Sequence, residues 1–302
     1  MASPIKKVAI FGAAGNFGTP ITAALIAAGF AVTAITREES QSVFPDGIPV
    51  IRTTYTVERL TKALAGQDAA VCVVGPGGIG SQIAMIDAAE AAGVKRFIVD
   101  DFGWGPESRS LPEFDAIGAP RKAAWDHARA KAKANSAFSF TGVSIGNPID
   151  WALKRFPAMG FDVTRHISII YDDGTAMFTG TTLEGIGQAI VGVLSKPDET
   201  ANLFVKARSL LTCQNDLLLA FQSATPGHEW EIQHARTKAL IEQGRAKHAS
   251  GQGGWILNLV VAQLFEPGEG RGILAATREE SDADLLGIQE ETPEEVVKKA
   301  LA

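Results

Sequence analysis

An α/β fold is predicted, with helices on both faces of a doubly wound parallel sheet and a smaller α+β unit interleaved with it. Three observations lead there. Strand-like and helix-like segments alternate as far as residue 145, the rhythm of crossover-connected parallel strands. The segment Asp68-Ala-Ala-Val-Cys-Val-Val-Gly75 is apolar without alternation, as strands covered on both faces are. The first apolar run, Val8-Ala-Ile-Phe11, ends in glycines spaced G-x-x-G-x-x-G at Gly12, Gly15 and Gly18, and a helix-period stretch closed by Gly29 follows. Strand, glycine turn and helix in that order form the cradle of a Rossmann-type dinucleotide site.

Taken in order, the turn comes first. A Cβ at Gly12 or Gly15 would obstruct the approach of backbone N–H groups to a pyrophosphate, and Gly18 would let the helix pack closely on the strand. With Asn16 and Phe17 they place the phosphates at the positive end of that helix. A second strand, Phe30-Ala-Val-Thr-Ala-Ile35, ends at Thr36-Arg37-Glu38-Glu39. At this strand tip a carboxylate accepts from a ribose 2′-OH, whereas an arginine pairs with a 2′-phosphate. Arg37 therefore points to NADPH (NADP+), with Glu38 and Glu39 competing for it.

A helix over 57–65 and the strand over 68–75 come next. Gly75-Pro76-Gly77-Gly78 opens where the strand's C-terminal end meets a ligand, near the nicotinamide. Helix 81–92 stops at Gly93, and Val94–Val99 is a strand. The Asp100-Asp-Phe-Gly-Trp-Gly105 run beyond it suits a pocket wall, with Phe102 and Trp104 as substrate contacts. A helix is expected from Pro120, at its first position, to Asn135 as its cap, and Phe138–Val143 resumes strand character.

Beyond residue 145 the rhythm changes. Ile167–Tyr171 and Thr175–Phe178 read as a hairpin around Asp172-Asp173-Gly174. Helices are expected over 182–194, 215–224 and 237–249, and a strand over 203–207. Thr292-Pro293-Glu294-Glu295 starts the last helix with a capping side chain, an N1 proline and acidic residues. This half supplies many aromatics, among them Trp151, a candidate lining residue for a pocket between the halves. The expected division is a dinucleotide-binding domain over 1–148, joined by the returning 182–207 helix and strand. A substrate-binding domain takes 149–181 and 208–302.

Composition narrows the partners. The 302 residues carry 28 Lys and Arg against 34 Asp and Glu, a net charge of −6, so no basic surface is offered to nucleic acid or to an anionic membrane. No stretch is apolar enough to span a bilayer, and the N-terminus lacks the apolar region of a signal peptide. Cys72 and Cys213 suggest neither a metal site nor a disulfide framework. The expected setting is cytoplasmic, with a small-molecule substrate and no metal.

The chemistry is narrowed by what is missing. In Tyr-x-x-x-Lys reductases the lysine lowers the tyrosine pKa so that the phenol exchanges a proton with substrate. Here Tyr55 is followed four residues on by Arg59, and Tyr171 by Thr175. His127, His166, His228, His234 and His248 are scattered without metal-ligand spacing. Gly142-Val-Ser144-Ile-Gly146 has the G-x-S-x-G spelling of a nucleophile elbow, but it falls late in a sheet committed to a cofactor.

The N-terminal glycines, Lys95-Arg-Phe97 with Asp100-Asp-Phe-Gly103, and the Lys122 helix leading to Phe140-Thr-Gly-Val143 together resemble the NmrA-like and isoflavone-reductase-like branch of atypical short-chain dehydrogenases. Tyr171-Asp-Asp-Gly174 and Ile190–Pro197 extend the resemblance over nearly the whole chain. It implies an NADPH-dependent reductase of a small, apolar, aromatic or polyketide-like molecule. By position in the motif it makes Lys122 the acid–base residue. A lysine desolvated in a pocket loses pKa and exchanges a proton, or stays charged and stabilises an oxyanion; a solvated Lys122 would instead pair with Asp126. Two segments depart from the family pattern. Val99-Asp100-Asp101-Phe102-Gly103 replaces a Pro-Ser-Glu-Phe-Gly type segment, and Lys122-Ala-Ala-Trp-Asp126 replaces Lys-x-x-x-Arg. Two alternatives stay open: a non-catalytic redox sensor that binds a regulatory protein, and an isomerase that turns over without consuming nucleotide.

Overall fold

The computed structural model describes residues 4–302. Its first half runs β1 (Lys7–Phe11), α1 (Gly18–Ala27), β2 (Ala31–Arg37), β3 (Val50–Thr53), α2 (Val57–Ala63), β4 (Ala69–Cys72), α3 (Gln82–Ala91), β5 (Arg96–Val99), α4 (Asp115–Ala134) and β6 (Ser139–Ser144). The second half runs β7 (Asn147–Pro148), α5 (Ile149–Leu153), β8 (Phe161–Asp162), β9 (Ile167–Tyr171), β10 (Phe178–Thr181), α6 (Leu183–Ser195), β11 (Leu203–Lys206), β12 (Leu210–Thr212), α7 (Gln214–Ala224), β13 (Glu231–Ala235), α8 (Thr237–Ala249), α9 (Trp255–Phe265), α10 (Ala283–Leu286) and α11 (Pro293–Leu301).

Seven strands form one parallel sheet in the order β11-β6-β5-β4-β1-β2-β3. The order reverses about β1, which creates the crevice where such sheets bind ligands. Because side chains alternate along a strand, Val8 and Ile10 enter the core under α1 and α6, while Ala9 and Phe11 enter the core under α2, α3 and α4. A third core, around Phe161, Phe178, Phe221 and Phe265, belongs to the second half. Arg96 on β5 is buried and donates to Ser139, Thr141 and Thr200 side chains and to the Pro197 carbonyl. It thereby fastens the segment between α6 and β11 onto the sheet.

Several expectations are corrected. The segments flanking Asp172-Asp173-Gly174 do not form a hairpin: β9 pairs with β8 and β13, whereas β10 pairs with β12 and β7. The turn itself exists, with Asp172 and Gly174 at positive φ. Asp172 accepts from the Thr237 hydroxyl at 2.5 Å, and Asn215 donates to the Asp173 carbonyl at 3.0 Å. These distant partners route the chain from one small sheet into another. Helix α4 begins at Asp115, so Pro120 lies in its second turn instead of opening it. Strand β3 and helix α9 carry no clear sequence signal and were not expected. The Thr292 cap stands as predicted, with both halves of its capping box made by Thr292 and Glu295.

Candidate active site

The site begins with the glycine turn between β1 and α1. Gly12 has a φ of 86°, and a Cβ there would collide with the Val73 carbonyl at the end of β4. A Cβ on Gly18 would collide with the Gly12 carbonyl. Both glycines are thus required by the chain's own packing, Gly12 against the end of β4 and Gly18 where α1 starts against the residues just after β1. Gly15 is exposed, donates its N–H to the Gly12 carbonyl at 2.9 Å, and would hold a Cβ 3.1 Å from the same oxygen. The turn is therefore tight, and in the first turn of α1 the Thr19 and Ile21 N–H groups donate to the Gly15 and Phe17 carbonyls at 2.9 and 3.1 Å, while Pro20 has no N–H to offer.

A cavity of about 350 Å3 lies against this turn. Gly12, Gly15, Arg37, Gly75 and Pro76 all line it, together with Ser40 and Ser42. A bare glycine turn, a helix N-terminus, hydroxyls and a guanidinium are the donor set for a phosphorylated dinucleotide. Arg37 sits 3.5 Å from Glu39, both well exposed, so little holds it back from a phosphate. Tyr55 forms another wall, and its hydroxyl donates to the Ile35 carbonyl at 3.4 Å. Burial pushes its phenol up to about 12, which makes it a poor proton donor.

Asn16, Phe17 and Gly18 do not line that cavity. Phe17 turns the other way, its ring 6.3 Å from Phe102 and 6.1 Å from Trp151. Phe102 is buried with a φ of 42° and packs into the core under α1. It does not line the larger cavity described next, because this strained turn directs its ring inward. Trp104 and Trp151 do line it.

This second cavity, about 710 Å3, is predominantly apolar. Trp151, Met159, Phe156 and Phe114 line it together with Ile256, Leu257 and Val260 of α9. Arg155 stacks its guanidinium 3.9 Å from the Trp151 ring centre, covering the indole with charge at the rim. Through the Phe17 ring, Trp151 in the wall of this cavity packs against the turn between β1 and α1. The α9 residues were missed: Trp255-Ile-Leu-Asn-Leu-Val-Val-Ala has apolar residues on almost every face, so periodicity did not single out a helix. Only the positive-φ glycine before it, Gly254, marks its start.

Beyond β5 two carboxylates are buried side by side. Asp100 accepts from Arg121 Nε at 3.2 Å, its N–H donates to Gln82 at 2.7 Å, and its carbonyl accepts from the Trp125 indole at 3.0 Å. Burial outweighs Arg121 and raises its pKa to about 7. Asp101 accepts from the Ser144 hydroxyl at 2.5 Å and from the Gly105 N–H at 3.3 Å, and burial raises it to about 6. Ser144 is thus a buried donor to a carboxylate, and Gly142 is required by the Phe204 ring packed against it. The G-x-S-x-G spelling is a packing feature here.

Lys122 stands two turns into α4. Its amine is half-exposed and 3.6 Å from Asp115, and it lines neither the cofactor cavity nor the apolar one. Asp126, the alternative partner, is taken by Arg129 at 2.6 Å. The neighbouring Arg121–Asp100 pair ties this part of α4 to the end of β5. Among the described residues no three metal-ligating side chains come together, and no helix is long and apolar enough to cross a membrane.

Comparison with known proteins follows the same lines. Residues 12–197 match the family model described as NAD(P)H-binding. The chain is 63% identical over 289 residues to oxidoreductase poxI of Penicillium oxalicum, covering 96% of this chain and 92% of that protein. Among solved structures it is similar to isoflavone reductase, with a TM-score of 0.77 at 17% identity over 98% of this chain and 99% of the other. It is also similar to AtPrR2 with NADP+ and (+)pinoresinol, with a TM-score of 0.76 at 18% identity over 99% and 100%.

Proposed function

Because this chain belongs to the NAD(P)H-binding family and is an oxidoreductase with the isoflavone reductase fold, we propose that it is an NADPH-dependent reductase of a small apolar, aromatic or polyketide-like molecule. The observation that carries the reading is the 710 Å3 apolar cavity whose Trp151 wall touches the phosphate-turn residue Phe17. Burying an apolar molecule there contributes about 25 cal/mol per Å2 removed from water, which suits an aromatic body. AtPrR2, of the same fold, holds NADP+ and (+)pinoresinol.

Gly12, Gly15, Gly75 and Pro76 hold the phosphates and the nicotinamide side in this reading, with Asn16, Phe17 and Gly18 completing the turn. Arg37 takes the 2′-phosphate. NADPH supplies the hydride when bound. Trp104 and Trp151 orient the acceptor and exclude water from it. Lys122, which lines neither cavity, leaves its exposed partner Asp115 and swings toward the substrate, where it donates the proton or stabilises the oxyanion that forms. The exposed ion pair it gives up is worth little. The division of labour follows: residues 1–148 and 182–207 carry the nucleotide, and 149–181 with 208–302 shape the substrate side.

The test is a calorimetric titration with NADPH, NADP+, NADH and NAD+, followed by turnover of aromatic enones and ketones monitored at the nicotinamide absorbance. Preferential binding of NADPH and its consumption with an aromatic acceptor are expected. Equal affinity for NADH would remove the role given to Arg37. NADPH binding without consumption across the series would remove the substrate class.

A further inference from the structure

We propose that the apolar cavity continues past Trp104 into a polar one, and that the two together select an amphipathic substrate, an apolar body that bears an acidic group. The proposal rests on the apolar cavity being the substrate site. The polar cavity has a volume of about 420 Å3. Segment 104–110 runs between the two as a partition. Trp104 lines both, Glu107, Ser108 and Arg109 face the polar cavity, and Ser110 faces the apolar one.

The partition is held at both ends. Gly105, with a φ of 75°, donates its N–H to the Asp101 carboxylate, and the Leu111 N–H donates to Gln263 at 2.9 Å. Between these anchors the Ser108 and Ser110 hydroxyls meet at 3.0 Å. Trp104 therefore adjoins a short bridge, residues 105–111, fixed to the Asp101 carboxylate beyond β5 at one end and to α9 at the other.

The charges of the polar cavity are unevenly satisfied. Lys206 lies 3.5 Å from Glu107, Arg271 is paired with Glu266 and Glu269, and Glu280 accepts from the Ala276 N–H at 2.9 Å. Arg109, by contrast, has no carboxylate within ion-pair distance among the described residues. An exposed guanidinium with no carboxylate partner, lining the polar cavity that shares Trp104 with the apolar one, matches a carboxylate or an acidic enol in two parallel hydrogen bonds. The apolar body then lies against Trp151 and α9, and its acidic end reaches past Trp104 to Arg109.

The experiment uses the full chain and two fluorescent probes, 11-(dansylamino)undecanoic acid and its methyl ester, which share an apolar body and differ by one charge. The acid is expected to bind about tenfold more tightly than the ester, equivalent to about 1.4 kcal/mol. Arg109→Ala should erase that preference while leaving the ester's affinity unchanged, which also reports an intact fold, and Arg109→Lys should retain part of it. Equal binding of acid and ester by the unaltered protein would overturn the proposal, as would a preference that survives Arg109→Ala. If neither probe gains dansyl fluorescence, the apolar cavity itself is not the substrate site and the reading beneath the proposal falls.

Discussion

Lys122 and Arg37 are the two side chains on which the proposed reaction depends most. Replacing Lys122 by alanine should lower kcat by about 10²- to 10⁴-fold, the range for loss of a general acid. NADPH affinity should stay the same, since no phosphate contact is assigned to it; unchanged turnover would end its role. Arg37→Ala should lower NADPH affinity by about tenfold or more and leave NADH affinity nearly as it was, because only the former carries the 2′-phosphate. Both residues are exposed, so neither change should alter the unfolding free energy by more than about 0.5 kcal/mol. Trp104 differs from them in holding apart two cavities of unlike polarity.

At the scale of elements, the phosphate turn is fixed by backbone against backbone. Gly18→Ala drives a methyl group into the Gly12 carbonyl, and overpacking of this kind costs about 1–3 kcal/mol. A lowered urea midpoint together with weakened NADPH binding is the expected result. Helix α9 supplies part of the apolar lining of the larger cavity. Val260→Asp, on a half-exposed position lining the cavity, should leave the fold in place and weaken an apolar probe. If that probe bound equally well, the α9 face would not be part of the site.

For the molecule as a whole, the buried pair Asp100 and Asp101 couples stability to pH. Both carboxyls titrate higher folded than unfolded, at about 7 and about 6. The folded chain thus keeps protons that the unfolded chain loses near pH 4. Their contribution therefore falls as pH rises from roughly 4 to 7. Urea midpoints measured across that window should decline, and the decline should flatten in Asp100→Asn and Asp101→Asn. Groups such as Asp68, Asp87 and Glu90, held below their usual range by lysine partners and backbone donors, impose the opposite slope only at more acid pH. The sequence by itself determined the parallel sheet, its glycine turn and the cap of the last helix, because strand period, glycine spacing and caps act over a few residues: Gly12, Gly18 and Thr292 all signal locally. Only the tertiary structure decided that the Asp172 turn joins two sheets, that Phe102 turns inward, that α9 walls the cavity and that Trp104 divides it. Those outcomes depend on partners tens to hundreds of residues away, such as Thr237 for Asp172 and Gln263 for Leu111, and no local pattern encodes which distant surface a side chain will meet.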